Sequence, residues 1–287
     1  MINRVLLRNG YTLVGEPKPD SYGRFSGIVA DKKGNKFFYK AVVGLNGYSY
    51  KSLYNEAYLT KYLAGLTYRK GIKFGSYSLE IPQVEKIIKE GEVLCVISHQ
   101  VAGKALSSMP PAAQAKILIT TWGLMDKFSQ EVDVNQIKPY LKNYSKVSLT
   151  AYLPFRLVKA ILFSPLSAVA LMVTAIRALR VISRKGSKPG LIHPDIKSGN
   201  IYVDKKRIFL LDWEEAGWGE LAYNQVSTMS VHWQNKLVLN QLAAEMIPLL
   251  AYRTLVVFNQ NFKKDSIRRI RDYRLLKFIS TIKNRSL

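Results

Sequence analysis

One cysteine, Cys95, stands in 287 residues. It allows neither an intramolecular disulfide nor a cluster of metal-bound thiolates, and its place in the apolar run VLCVI fits a reducing compartment. A long apolar run is missing from the amino terminus: MINRVLLRNG holds three consecutive apolar residues before Arg8. That is too short for the core of a secretion leader, so a cytoplasmic setting is expected. Internal repeats and low-complexity tracts are absent. Acidic residues are scarce, 20 against 43 lysines and arginines, for a net charge of +23. Between Asp133 and Asp195 there is no acid at all, while ten basic residues fall there, from Lys138 to Lys188. Such an excess is either the background of a basic proteome or the mark of an anionic partner. A nucleotide or a phospholipid surface meets that description. Nucleic acid is not expected, because charge alone speaks for it and no nucleic-acid-binding fold is recognised.

What is present is a globular composition, 48% apolar with both charge signs, in a chain long enough for one large domain or two lobes. The first hundred residues read as strands with one helix. YTLV (11–14) is a short strand, and GIVA (27–30) and NKFFYKAVV (35–43) flank a hairpin turn at Gly34 and Asn35. SLYNEAYLTKYLAGL (52–66) has helical periodicity, with a cap at Ser49 or Ser52. IPQVEKII (81–88) and EVLCVIS (92–98) are two more strands. Beyond residue 103 long apolar helical stretches dominate. The expected fold is α+β, a small β-rich lobe over 1–102 and a larger, mostly helical lobe over 103–287.

Two apolar segments admit more than one fate. AILFSPLSAVALMVTAI (160–176) carries no charge for seventeen residues. It is marginal for a bilayer span and interrupted by Pro165, so a helix buried in the larger lobe is expected. Near the carboxyl terminus, Ile267, Ile270, Tyr273, Phe278 and Ile282 stand against five basic residues from Arg268 to Lys277. They describe a helix that docks by its apolar side and leaves a cationic side toward solvent or an anionic membrane.

The chemistry gathers in LIHPDIKSGNIYVDKKRIFLLDWEEAG (191–217). If IYV and IFLL fold as an antiparallel hairpin around DKKR, its two ends lie side by side. The Asn200 amide and the Asp212 carboxylate can then share a hard cation such as Mg²⁺. Asp195 stands in the preceding loop, where it could accept a proton from a hydroxyl, and Lys197 adds a positive charge beside it. Acid, amide and acid around a divalent cation are the parts of a phosphoryl-transfer site. His193 reads as a structural hydrogen-bonding residue.

HPDIKSGNIYVD followed by LLDWEEAGWGE resembles the catalytic and metal loops of the protein-kinase-like superfamily. DWEEAGWGELAYN is more similar to the aminoglycoside phosphotransferase and choline kinase branch. Lys197 departs from that branch, which more often has histidine there, and looks like the lysine of protein kinases. The resemblance implies further parts in the first lobe. Lys40 in the third strand would hold the phosphates of ATP, and Glu56 on the next helix would pair with it. SYGRFSGIV (21–29) would be a degenerate phosphate-covering loop, with Gly23 retained, Phe25 at its tip, and Ser21 and Ser26 in place of glycines. His99 to Val101 would lie along the adenine edge, and the bulk of Phe38 would narrow the base pocket.

The expected function is an ATP- and Mg²⁺-dependent transfer of phosphate to a hydroxyl of a small molecule, sugar or lipid headgroup. Peripheral contact with an anionic membrane is a further expectation. Two alternatives stay open: a protein serine/threonine kinase, encouraged by Lys197 although no Ala-Pro-Glu-like segment is found, and a non-catalytic kinase-like scaffold on a membrane or polyanion.

Overall fold

The computed structural model describes residues 1–19, 23–44, 47–181, 188–261 and 266–281, without the side chains of 260, 261 and 266–269. The chain forms two compact units, one from residues 1–108, 127–141 and 198–216, the other from 109–126, 142–197 and 217–287.

In the first unit the elements run α1 (Ile2–Arg8), β1 (Tyr11–Pro19), β2 (Arg24–Asp31), β3 (Lys36–Val43) and α2 (Tyr48–Lys70). They continue through β4 (Lys73–Phe74), β5 (Tyr77–Glu80), β6 (Val84–Glu90), β7 (Val93–His99) and β8 (Lys104–Ala105). Five of the strands make an antiparallel sheet in the order β1-β2-β3-β7-β6. Strand alternation sends Val29, Phe37, Tyr39, Ala41 and Cys95 into one core with Ile2, Val5 and Leu6 of α1. Val42, Leu94 and Val96 point the other way and pack on Leu53 and Ala57 of α2. Burial pushes the Cys95 thiol up to about 12, so it is an inert core group.

Two details differ from the sequence reading. The small lobe has a second helix, α1, whose three buried positions are too few to show periodicity. And α2 begins four residues early, after an extended Gly47, with no side-chain cap; Ser52 is buried inside it. Its opening turns are held by a ladder of tyrosines, Tyr50 on Tyr54 and Tyr54 on Tyr58, with centroids 6.4 and 4.6 Å apart, a feature that a search for polar caps does not register.

The remaining elements are α3 (Pro111–Glu131), α4 (Val134–Ile137), β9 (Lys142–Tyr144), α5 (Lys146–Ala151), α6 (Leu153–Phe163) and α7 (Ala168–Leu179). After them come β10 (Pro189–Ile192), β11 (Ile201–Asp204), β12 (Arg207–Leu210), β13 (Gly217–Glu220), α8 (Tyr223–His232), α9 (Lys236–Leu239), α10 (Ile247–Asn261) and α11 (Ser266–Thr281). β11 and β12 pair as the expected hairpin, Ile201 opposite Leu210, and join β4, β5 and β8 in a sheet of the first unit.

In the second unit α7, α8 and α11 surround α10, and β10, β13 and β9 form a small sheet. The uncharged segment 160–176 is not one buried helix. It breaks at Ser164–Ser167 around Pro165, and α6 and α7 each bury only one side. Among the described residues no helix is long and apolar enough to cross a membrane. The last helix does dock on this unit, but not by the expected face: Asp272, Leu275, Leu276 and Ile279 are buried, while Ile270 and Tyr273 are exposed. Apolar residues stand on both sides of α11, so periodicity alone could not choose between them; Ile267 and Ile282 lie outside the described side chains. His232 on α8 is half-buried, and burial reinforced by the nearby Arg271 lowers its pKa to about 4, which leaves it a neutral packing group.

The glycines of AGWG have a mechanical reason. β13 runs parallel to β9 so closely that a Cβ on Gly219 would stand 2.2 Å from the Tyr144 carbonyl oxygen, and one on Gly217 would stand 2.3 Å from that of Lys142. Gly219→Ala is therefore expected to lower the unfolding free energy by about 3 kcal/mol in urea titration. A loss below about 1 kcal/mol would show that β9 can shift without cost.

Candidate active site

Lys40 lies in β3 on the face that α2 covers, between Ser26 of β2 and Val96 of β7. Directly opposed residues share a face, so the Ser26 side chain stands on the lysine's side. Glu56, sixteen residues on, is buried on α2 and reaches the ammonium with both oxygens, at 2.7 and 3.0 Å. Asp212 reaches the same ammonium at 3.0 Å. Burial alone would depress the lysine's pKa; the two carboxylates outweigh it, and the value is raised. The ammonium is thus charged throughout the neutral range. The stability it contributes, complete below the unfolded lysine value of about 10.4, is lost only as pH climbs through the higher folded value.

Asp212 is held by the hairpin. The Leu211 amide donates to the Asn200 carbonyl at 2.9 Å, extending the β11–β12 ladder to the residue before Asp212. Asp212 then turns with φ 68° and ψ 64°, a left-handed conformation that costs a non-glycine residue about 1 kcal/mol or more. Trp213 fixes the turn from behind: it is 1% exposed, its indole N–H donates to the Leu210 carbonyl at 3.0 Å, and Phe128 meets its ring edge-on.

Two more acids follow, and the sequence reading gave them no role. Glu214 forms an ion pair with Arg24 at the start of β2, and Glu215 accepts from the Tyr48 hydroxyl at 2.8 Å. Oxygens of Glu56, Asp212 and Glu214 lie within 4.8 Å of one another. The doubled glutamate after Asp212 and Trp213 was the available signal. The chemistry of the patch fits a hard divalent cation: carboxylates outnumber the cations, and Asn200 and Asp212, at the two ends of one hairpin, are oxygen donors that would hold it.

The loop 191–197 belongs to the second unit. Lys197 Nζ lies 2.5 Å from Asp195 Oδ2. His193 is fully buried, and its backbone N–H donates to Asn224 Oδ1 at 2.7 Å, while Asn224 Nδ2 donates to the Leu191 carbonyl at 3.0 Å. Arg253 of α10 donates to the Pro194 carbonyl at 3.1 Å. Asn224 and Arg253 therefore grip the strand and loop that carry Asp195. Neither was singled out from sequence, since an asparagine inside LAYN and an arginine in an apolar helix look like packing residues.

Other expected positions are more dispersed. Gly23 is exposed, with φ +73°, at the start of β2. Phe25 is not at a loop tip: it sits in β2 opposite Ala41 and packs on the α1 side of the sheet, away from Lys40, because alternation sends it opposite to Ser26. Ser21 lies outside the described residues. His99 ends β7, its N–H committed to the Gln83 carbonyl at 2.9 Å and its ring 3.1 Å from Glu85 Oε2. Val101 is half-buried just beyond, and Phe38 is on the Lys40 face.

The two-carboxylate grip on Lys40 makes a measurable prediction. Lys40→Met is expected to cost about 2–3 kcal/mol in denaturant unfolding, because it leaves Glu56 buried and unpaired. Lys40→Met with Glu56→Gln should recover part of that loss; strictly additive losses would mean that the pair is not coupled.

The sequence profile of the phosphotransferase enzyme family (APH) matches residues 101–251, more than half of the chain, and no curated protein matches. Among solved structures, a thermostable mutant of the aminoglycoside phosphotransferase APH(4)-Ia, in ternary complex with ADP and hygromycin B, superposes with a TM-score of 0.70 at 14% identity, over 98% of this chain and 99% of that one. The amicoumacin kinase hAmiN, in complex with AMP-PNP and Ca²⁺, gives 0.58 at 10% identity over 95% and 88%. The macrolide 2′-phosphotransferase MphH from Brachybacterium faecium gives 0.57 at 14% identity over 96% of each chain. At these identities the likeness is one of fold, and the fold is that of the kinase-like phosphotransferases. The profile carries the assignment further, over the loop of Asp195, the hairpin from Asn200 to Asp212 and the glycines of β13: the chain belongs to the phosphotransferase enzyme family.

Proposed function

We propose that this enzyme transfers the γ-phosphate of ATP to a hydroxyl group of a small molecule. The observation that carries the reading is the convergence of Lys40, Glu56 and Asp212, from a strand, a helix and a hairpin end, on one charged contact of 2.7–3.0 Å. A structural ion pair needs one acid; a lysine flanked by two is suited to exchange one of them for phosphate oxygens. In this reading Lys40 holds the phosphates and Glu56 keeps it in place. Asn200 and Asp212 would hold Mg²⁺, which when bound neutralises charge on the phosphate oxygens. Ser26 and Gly23 would lie along the phosphates, and Val101 along the base. Residues 1–102 would bind the nucleotide, and 103–287 would supply the catalytic loop and the acceptor contacts.

Asp195 would orient the acceptor hydroxyl and take its proton. The bond from the γ-phosphorus to the ADP oxygen breaks, the bond to the acceptor oxygen forms, and the proton passes to the carboxylate. Lys197, in contact with Asp195, would hold that carboxylate in position. Hygromycin B in one structural neighbour supports an aminocyclitol or sugar-like acceptor; a lipid headgroup is a second acceptor class. The Lys197–Asp195 contact also favours one other reading, phosphorylation of protein hydroxyls.

An ATP-consumption screen against aminoglycosides, amino alcohols, sugars, lipid extracts and proteins separates these. One small-molecule class is expected to raise turnover, and Asp195→Ala to lower that turnover by about 10²–10⁴-fold without changing the unfolding midpoint. Stimulation by proteins alone would replace the small-molecule reading. No turnover with any class, together with no nucleotide binding, would leave the scaffold reading.

A further inference from the structure

The second unit carries an apolar surface that its own core leaves uncovered. On α6 the side chains of Phe155 and Leu162 are 69% and 76% exposed; Leu166, in the turn after it, is fully exposed; on α7 Val169, Met172 and Ile176 are 77%, 51% and 56% exposed. Their spacing of three, four or seven residues makes an outer stripe on each helix, while Leu153, Ala160, Leu171 and Ala175 face inward. Scattered single apolar residues on a surface mean little, but a run of six along one helical hairpin is a contact surface.

The charged side chains of the hairpin itself have one sign. No acid occurs between Asp133 and Asp195, and exposed Lys159 flanks the α6 stripe, while Arg156 turns inward over the Tyr252 ring. At the end of α7, Arg177, which also donates to the Ile279 carbonyl, and Arg180 line a cleft of about 140 Å³ with Ala244, Ile247 and Pro248. Ile247 opens the fifteen-residue helix α10, so that helix's amide end adds to the cleft's positive potential. An apolar stripe on a hairpin whose charged side chains are all cationic disfavours a second copy of the same face, which would bring like charges together.

We propose that the α6–α7 hairpin docks this protein on the surface of an anionic lipid bilayer. The outward apolar side chains of α6, the Leu166 turn and α7 enter the headgroup–acyl boundary, the lysines and arginines meet the lipid phosphates, and the cleft between Arg177 and Arg180 receives a headgroup. Neither helix can span a membrane, so the contact is peripheral and reversible. Each lysine or arginine close to such a surface raises binding roughly fivefold, an effect that salt screens. The inference rests on the surface alone and is independent of the transferase reading.

The test is co-sedimentation of the full chain with vesicles of phosphatidylcholine, with or without about a third phosphatidylglycerol, at low and near-physiological salt. Binding to the anionic vesicles is expected to exceed binding to the neutral ones at least about tenfold, and to weaken as salt rises. Leu162→Glu, Leu166→Glu and Val169→Glu together should abolish it, with the unfolding midpoint unchanged. Leu166→Glu alone, at a fully exposed position, should weaken it severalfold. Absence of binding to anionic vesicles at low salt overturns the proposal, as does undiminished binding by these variants. A wild-type dimer in analytical ultracentrifugation that the triple variant dissolves would give the face to a second copy instead.

Discussion

A lysine ammonium largely removed from water keeps its charge only if the protein supplies countercharge, and the first unit is arranged around that requirement at Lys40. Glu56 can meet it because α2 lies across the sheet face on which Lys40 points, packed there by Leu53 and Ala57 against Val42, Leu94 and Val96. Asp212 can meet it because the β11–β12 ladder runs to the residue before it and Trp213, buried and hydrogen-bonded to Leu210, fixes the left-handed turn that Asp212 makes. Three separate stretches of sequence must therefore fold correctly before one ion pair forms. A nucleotide's phosphates would offer Lys40 an equivalent countercharge and leave Asp212 available to a metal ion. That exchange is what makes the site suited to phosphoryl transfer and not merely to stability.

The second unit carries the loop of Asp195, and it too is built by restraint of its backbone. Asn224 bridges the Leu191 carbonyl and the His193 amide, and Arg253 donates to the Pro194 carbonyl, so the residues leading to Asp195 are fastened at three backbone points. The glycines of β13 let β9 approach closely enough to complete the small sheet that includes β10, the strand feeding this loop. A motif that reads as a family signature is in large part a packing requirement.

Much of this was legible in the sequence because it is local. A hairpin with its polar turn at DKKR must bring Asn200 and Asp212 to the same end, and the resemblance of the 193–220 motif to kinase-like loops implied the pairing of Lys40 with Glu56, which the structure shows at 2.7 and 3.0 Å. What could not be read depended on contacts between distant segments or on a choice between two faces. α1 has three buried residues and no periodicity to announce it. Phe25 and Ser26 are neighbours in sequence, yet only the register of β2 decides which one faces Lys40. Arg24 meets Glu214 across 190 positions. The apolar runs in α6, α7 and α11 identified helices but not their buried sides: in α11 leucines and an isoleucine face inward while Ile270 and Tyr273 face out, and in α6 and α7 the outward face is as apolar as the inward one.

The central claim is that Asp212 serves Lys40 in the resting protein and a metal ion once nucleotide is bound. Calorimetric titration with a non-hydrolysable ATP analogue, with and without Mg²⁺, addresses it directly. Magnesium should tighten binding to the wild-type protein by about tenfold or more and should have no such effect on an Asp212→Asn variant with an unchanged unfolding midpoint. A folded Asp212→Asn protein that keeps the full magnesium effect would contradict the account.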